Sequence, residues 1–524
     1  MISSIYKEVI RVLKEVLNKY GFMEEDIYFY GSDKAKLSLK KKETKKGKLI
    51  LMTSINPTPY GEGKTTMSIG LTDSLCALGK KSIVVLREPS LGPVFGRKGG
   101  ACGGGESSIE PENAINLHFT GDLHAITCAN NLISAAIDNH LFQGNDLEID
   151  INSIVFERCI DLNDRSLREV EIQIKKDVKR KEHFVITAAS ELMAILCLSK
   201  DEKDLYRRIE NIYIAKNKKG ENLYVKDLHC TDAICILLKD ALLPNAVLTH
   251  EGNLALVHGG PFANVAHGCS SYVSLELALS KADYVITEAG FGSDLGGFKF
   301  VDLLTRQGIP LDLALLNVTI RALKYNGDGD LKKGICNLEF HIKNMNTLCS
   351  NLLVVLNQFE DDLEEDISYI ETYVNQKGIP FTTSTSFKEG SKGAIEFGKK
   401  VIACMNEKME KKYLYSLEDS LSTKIETVLH HLGANKIEYT EESQKKIEEW
   451  KNLPYPICIA KTPMSISDDE KKLGYPKDYT VTVRDVKLCN GAEFIVIYLG
   501  NILTLPGLSK DARLYSMKME DYKK

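Results

Sequence analysis

Ten consecutive residues, Pro57-Thr58-Pro59-Tyr60-Gly61-Glu62-Gly63-Lys64-Thr65-Thr66, combine the groups needed to hold a polyphosphate. The glycines let main-chain N–H groups approach an anion, Lys64 brings an ammonium, and Thr65 brings a hydroxyl that can ligate Mg²⁺. The general loop of this type has a glycine five positions before its Gly-Lys pair. Here that position is Thr58, flanked by Pro57 and Pro59, and prolines stiffen the chain where glycine would loosen it. The segment reads as a specialised P-loop, with Thr58, Pro59, Tyr60, Gly61, Glu62, Gly63, Lys64, Thr65 and Thr66 around ATP and Thr65 at its Mg²⁺.

Three further groups could act beside a bound phosphate. Arg87 follows an apolar run, and its guanidinium can grip a carboxylate or acyl phosphate through two parallel hydrogen bonds. Gly92 to Gly105 carries seven glycines in fourteen positions, with Arg97 and Lys98 inside it. Its place soon after a strand favours an anion-binding loop over a linker. The stretch Asn116-Leu117-His118-Phe119-Thr120-Gly121-Asp122-Leu123-His124 adds two histidines and a carboxylate. Any single histidine there is more often a hydrogen-bonded core residue than a catalyst.

These groups need strands that end together. Leu49-Ile50-Leu51-Met52 precedes the glycine loop, and Met67, Leu71, Leu75 and Leu78 recur at helical spacing after it, closed by Gly79. Further strands are predicted at Ser82–Leu86, Phe184–Thr187, Leu254–Val257, Tyr284–Thr287, Leu313–Val318, Leu352–Leu356 and Pro456–Ala460. Several lack polar alternation, the mark of a parallel sheet covered on both faces. The pattern predicts an α/β, doubly wound, mostly parallel sheet of P-loop NTPase type, with smaller α/β domains added. Ligands then lie beyond the carboxyl ends of the strands, where Arg87, His258, Glu288 and Asn357 each follow or end an apolar run. The expected division is 1–345 for a nucleotide-binding domain, with a charged lobe at about 146–225, then a second α/β domain at 346–425, then 426–524.

Composition narrows the function class. The chain has 524 residues, 43% hydrophobic and 27% charged, with a net charge of −5. That balance argues against a dedicated nucleic-acid surface. The runs Lys40-Lys41-Lys42 and Lys45-Lys46-Gly47-Lys48 read as a solvated loop. The start has no signal-peptide pattern, and no window approaches the ~18 consecutive apolar residues of a membrane span. Thirteen cysteines without Cys-x-x-Cys pairs point to reduced, mostly buried thiols in a cytoplasmic protein.

Taken together, Pro57–Thr66, Arg87–Pro93, Gly99–Gly105, Asn116–His124, His258–Cys269 and Thr287–Gly296 resemble formate–tetrahydrofolate ligase. Ala460-Lys461-Thr462, Ser467-Asp468-Asp469 and Leu505-Pro506-Gly507-Leu508 extend the likeness in collinear order, over about residues 49–510. The resemblance implies ATP-driven joining of formate to N10 of tetrahydrofolate through formyl phosphate. It also implies a homotetramer that responds to a monovalent cation, K⁺ or NH₄⁺. By motif, Lys64 and Thr65 would hold the phosphates and Mg²⁺, Arg87 would bind formate and formyl phosphate, Glu88 would lie near the cation, and Phe359 would flank the pterin. Asp122 is the candidate proton acceptor.

The pterin side departs from the family pattern. Phe387 stands where a tryptophan is usual, Glu106 where tyrosine is, Phe298 where an acidic residue is, and Pro463 where glutamine is common. Phenylalanine still stacks on a pterin, with less area and no N–H donor. Three readings stay open: an ordinary tetrahydrofolate ligase, the same chemistry on another reduced pterin such as dihydrofolate, and a non-catalytic ATP- or folate-binding paralogue.

Overall fold

The computed structural model describes residues 2–39, 47–96, 100–407, 409–500 and 502–522. The lysines at 40–46 and Arg97, Lys98 and Gly99 lie outside the described residues.

Seven parallel strands form the centre of a twelve-stranded sheet. They are β1 (Lys48–Ser54), β2 (Ser82–Leu86), β3 (Leu254–Val257), β4 (Tyr284–Glu288), β5 (Leu313–Val318), β6 (Leu352–Asn357) and β7 (Phe381–Ser384), in spatial order β3-β2-β4-β1-β5-β6-β7. Asn245–Thr249 pairs antiparallel with β3 and continues the sheet to Ala35–Leu37 and Ser107–Glu110. The sheet is therefore mixed, and mostly parallel.

The unbroken apolar runs follow from burial on both faces. In β1, Leu49 and Leu51 enter one core while Ile50 and Met52 enter another, as alternating side-chain direction requires. Helix α1 (Lys64–Ala77) brings Met67, Leu71 and Leu75 to the second core, beside Phe397 and Val401 of the helix Ile395–Cys404. The first core takes Leu275 and Leu279 of Tyr272–Lys281 and Leu338 and Met345 of Leu331–Leu348. Gly79, at φ +78°, ends the α1 turn in the left-handed region that glycine adopts freely.

The segment 346–425 contributes β6 and β7 to this same sheet. Residues 426–524 carry a separate four-stranded sheet, in the order Ala434–Tyr439, Tyr479–Cys489, Phe494–Leu499, Ile457–Ala460. The Pro456–Ala460 run thus belongs to that second sheet. Among the described residues, Phe184–Ile186 pairs only with Arg158–Ile160, in a small parallel pair within the charged lobe. A short apolar run specifies burial but not which sheet receives it.

All thirteen cysteines are free thiols. Among the described residues, no helix is long and apolar enough to cross a membrane.

Candidate functional site

Because the seven central strands run in one direction, their carboxyl ends meet on one edge. A cavity of about 590 Å³ lies there. Pro57 to Thr66 line it, with Arg87, Gly100, Ala101, Gly103, Gly104, Glu288, Arg321, Asn357, Phe359, Phe387 and Pro463. The glycine loop, the arginine and both aromatic residues singled out in the sequence share this one space.

The loop is braced from inside. Gly61 and Gly63 take φ of +81° and +70°, and Glu62 between them turns its carboxylate back into the protein. That carboxylate accepts the Thr58 N–H at 2.6 Å and the Thr319 hydroxyl, and lies 3.5 Å from Arg321 Nε. The Glu62 carbonyl accepts from the Asn317 and Asn357 amides at 2.8 and 3.2 Å. Glu62 is therefore a strut of the loop, with backbone N–H groups left to face an anion.

Lys64 Nζ donates to Ser54 Oγ at 3.1 Å, beside the end of β1. Thr65 Oγ1 donates to Glu288 Oε2 at 2.8 Å. The other carboxylate oxygen of Glu288 lies 3.7 Å from Arg87 Nη2. One carboxylate at the end of β4 thus touches both the loop hydroxyl and the arginine. Beneath Arg87, burial, the guanidinium and Lys299 push the His267 imidazole down to about 3, so its ring is neutral. Burial likewise lowers Lys299 to about 8, while its ammonium donates to the carbonyls of Ala263 and Asn264.

The aromatic side is more open. Phe387 is 51% exposed, and a methyl group added at Gly104 would sit 3.2 Å from its ring. Phe359 is half-buried and lies under the Arg321 guanidinium, whose carbon is 4.4 Å from the ring centre. Glu106 is exposed, and its N–H donates to the Phe387 carbonyl at 3.0 Å. Phe298 is a core residue, at 3% exposure.

The segment after Ile457–Ala460 closes one side. Asn56 Nδ2, at the start of the glycine loop, donates to the Pro463 carbonyl at 3.2 Å and to Asp294 Oδ2 at 3.3 Å. Lys461 Nζ pairs with the same Asp294 oxygen. Burial alone would raise the Asp294 carboxyl, but Lys461, His341 and Asn56 hold it below the usual carboxylate range. His341 accepts or shares hydrogen bonds with Asn56 and Ser293, and burial lowers it to about 4.

Two residues expected at the site lie elsewhere. Asp122 does not line the cavity. Its carboxylate takes Lys36 Nζ at 2.8 and 2.9 Å and the Asn245 amide at 2.8 Å. It is a buried ion-pair partner, not a group poised to take a proton in the cavity, and His118 and His124 are exposed. Glu88 is 3% exposed and also off the lining, and its Oε2 has no hydrogen-bond partner among the described residues. Burial, and then the charge of Asp122, raises its carboxyl well above the usual range. Sequence reasoning missed Arg321 altogether, and it saw Glu288 only as a strand end. Arg321 meets Gly61, 260 residues away along the chain, and Glu288 meets Thr65, 223 residues away.

A sequence model of the family described as formate–tetrahydrofolate ligase matches residues 3–524. A formate–tetrahydrofolate ligase from Campylobacter concisus is 47% identical over 97% of this chain and 96% of its own length. One from Caldicellulosiruptor saccharolyticus is 44% identical with the same coverage of both chains.

Proposed function

Since the chain belongs to the formate–tetrahydrofolate ligase family, we propose that it ligates formate to N10 of tetrahydrofolate at the expense of ATP, through formyl phosphate, releasing ADP and phosphate. The observation that carries this reading is the single cavity shared by the Lys64–Thr65 loop, Arg87, Phe359 and Phe387. An anion cradle and a pair of aromatic rings in one space suit a reaction between a phosphate and a flat heterocycle.

The chemistry follows from charge. Formate resists nucleophiles because its carboxylate repels them and carries no good leaving group. Attack of a formate oxygen on the γ-phosphorus of ATP releases ADP and turns that oxygen into part of a phosphate leaving group. N10 then attacks the formyl carbon, phosphate departs, and the amine loses a proton. Arg87 neutralises formate and its phosphorylated form, and Lys64 and the loop N–H groups hold the phosphates in line. A mixed anhydride is reactive enough for a weakly basic amine, so no strong general base is required.

Thr65 and Glu288 are the oxygen ligands that fit Mg²⁺. They lie 2.8 Å apart at the loop, and a hydroxyl with a carboxylate at the end of the neighbouring strand is a hard donor set suited to that ion. Mg²⁺ there would neutralise charge developing on the transferred phosphoryl group. Glu88 Oε2, which has no hydrogen-bond partner among the described residues, fits a monovalent cation, which would supply a contact to this buried oxygen.

The test is turnover with tetrahydrofolate and dihydrofolate side by side, following ADP release with and without formate. Formate-dependent release on tetrahydrofolate supports the reading. Preference for dihydrofolate assigns the substrate change to exposed Phe387 and its hydrogen-bonded neighbour Glu106. Silence on both leaves a binding paralogue.

A further inference from the structure

We propose that Glu251 is a positioning residue for Phe387: its carboxylate pins the turn that carries the ring, and so sets the aromatic wall on which the pterin stacks. The inference deepens the ligase reading above and rests on it.

Phe387 is 51% exposed and stands on one turn of helix, Ser386–Glu389, between β7 and Gly390. With half its surface in solvent, the ring takes much of its placement from the main chain beneath it. That main chain is fixed at its entrance. Ser386 is buried, and its carbonyl accepts the Ser107 hydroxyl at 2.9 Å. It lies so close to α1 that a methyl group on Gly70 would come within 2.5 Å of its Cβ. In the middle of the turn, the Phe387 carbonyl accepts the Glu106 N–H at 3.0 Å. The exit is anchored by a side chain from far away. The Ser391 N–H donates to Glu251 Oε1 at 2.7 Å, across 140 residues of chain. A methyl group on Gly390 would lie 2.5 Å from that same oxygen. The carboxylate therefore rests directly on the main chain where it leaves the helix.

Glu251 is itself held in place. It lies in the tight turn between Asn245–Thr249 and β3, closed by the Gly252 N–H on the Thr249 carbonyl at 2.8 Å. Asp73 of α1 accepts the Thr249 hydroxyl and the Asn253 amide, both at 2.7 Å. Helix α1 thus carries both arms of the clamp, with Gly70 against Ser386 and Asp73 against the turn that presents Glu251. Because Glu251 is exposed, truncating it leaves no core cavity, and what is lost is an ionised acceptor for a main-chain N–H.

The test is tetrahydrofolate binding by calorimetry, without nucleotide, with formate-dependent turnover of the wild-type chain measured alongside. The variants are Glu251→Ala, Glu251→Gln, Phe387→Ala and the double alanine variant. Glu251→Ala should weaken folate about fivefold, the scale of one charge-assisted hydrogen bond shared with solvent. Glu251→Gln keeps an oxygen for the Ser391 N–H and should stay within about twofold of wild type. Phe387→Ala should weaken folate about tenfold. Adding Glu251→Ala to it should cost no more than about a further 1.5-fold, because a contact that acts through the ring then has nothing to position. Affinity for ADP with Mg²⁺ should stay within about twofold in both Glu251 variants. Full multiplication of the two alanine effects, equal weakening of ADP and folate, or wild-type folate affinity in either single alanine variant would overturn the proposal. A wild-type chain that neither turns over with formate nor binds tetrahydrofolate would overturn the ligase reading itself.

Discussion

Replacing Glu62 by glutamine tests whether the glycine loop is held by the carboxylate behind it. The amide keeps the size of the side chain and can still accept the Thr58 N–H, now at 2.6 Å, but without a negative charge. Hydrogen bonds to charged groups contribute about 1.5–3 kcal/mol and neutral ones about 0.5–1.5, so this bond weakens by about 1 kcal/mol. On the other branch, an NH₂ group replaces the oxygen that accepts from Thr319 and faces Arg321 Nε. Losing that acceptor contributes about 1 kcal/mol more. A total of about 2 kcal/mol corresponds to roughly 30-fold. The loss should appear in kcat/KM for ATP, read as formate- and tetrahydrofolate-dependent ADP release over a range of ATP, with KM for formate within about threefold of wild type. Thr319→Ser keeps the hydroxyl and should stay within about threefold on all substrates. An ATP kcat/KM within twofold of wild type for Glu62→Gln would refute the idea that the carboxylate sets the loop.

Other outcomes follow from the same contacts. Glu288→Gln removes the charge that Thr65 and Arg87 share, so the Mg²⁺ concentration for half-maximal ADP release should rise at least about tenfold, checked by metal titration. A methyl group at Gly105 would lie 1.9 Å from the Phe387 carbonyl, at φ +60°. Gly105→Ala should therefore raise KM for the folate strongly while ADP affinity, measured by calorimetry, holds. Acid should remove the stability that three buried histidines contribute, because burial lowers His258 to about 4, His267 to about 3 and His341 to about 4. Each ring is neutral in the fold but protonates below about 6.5 when unfolded. Each therefore contributes stability that is full above that pH and is lost as pH falls toward the folded value, about 2 kcal/mol apiece by pH 5. Buried carboxyls act in the opposite sense over the same range, burial raising Asp73 and Glu191 each to about 7, so the readout is a difference: the melting temperature of wild type relative to His341→Gln should fall as pH goes from 8 to 5. An identical slope in the variant would exclude His341 as a contributor.

The strands were legible where both faces are buried. Ser82–Leu86, Leu254–Val257 and Leu313–Val318 have the bounds their apolar runs predict, because a strand sealed on both sides tolerates no polar alternation. Phe184–Ile186 and Ile457–Ala460 are equally apolar yet pair outside the main sheet, a choice set by partners distant in sequence. In the site, the glycine loop announces itself through spacing alone. Glu62 does not: its place in the loop counts it among the residues around ATP, and only its burial against Thr319 reveals a strut. Asp122 misled for a similar reason. A carboxylate between two histidines looks like acid–base machinery until Lys36, 86 residues earlier, is seen to hold it. Arg321 carried no local signal, since one arginine in a helical stretch is ordinary.

The most direct measurement uses formate labelled with ¹⁸O and follows the label into inorganic phosphate during turnover with ATP and tetrahydrofolate. If a formate oxygen attacks phosphorus and leaves with it when N10 takes the formyl carbon, each phosphate released carries one labelled oxygen. Unlabelled phosphate formed in step with the formylated product would contradict activation through formyl phosphate.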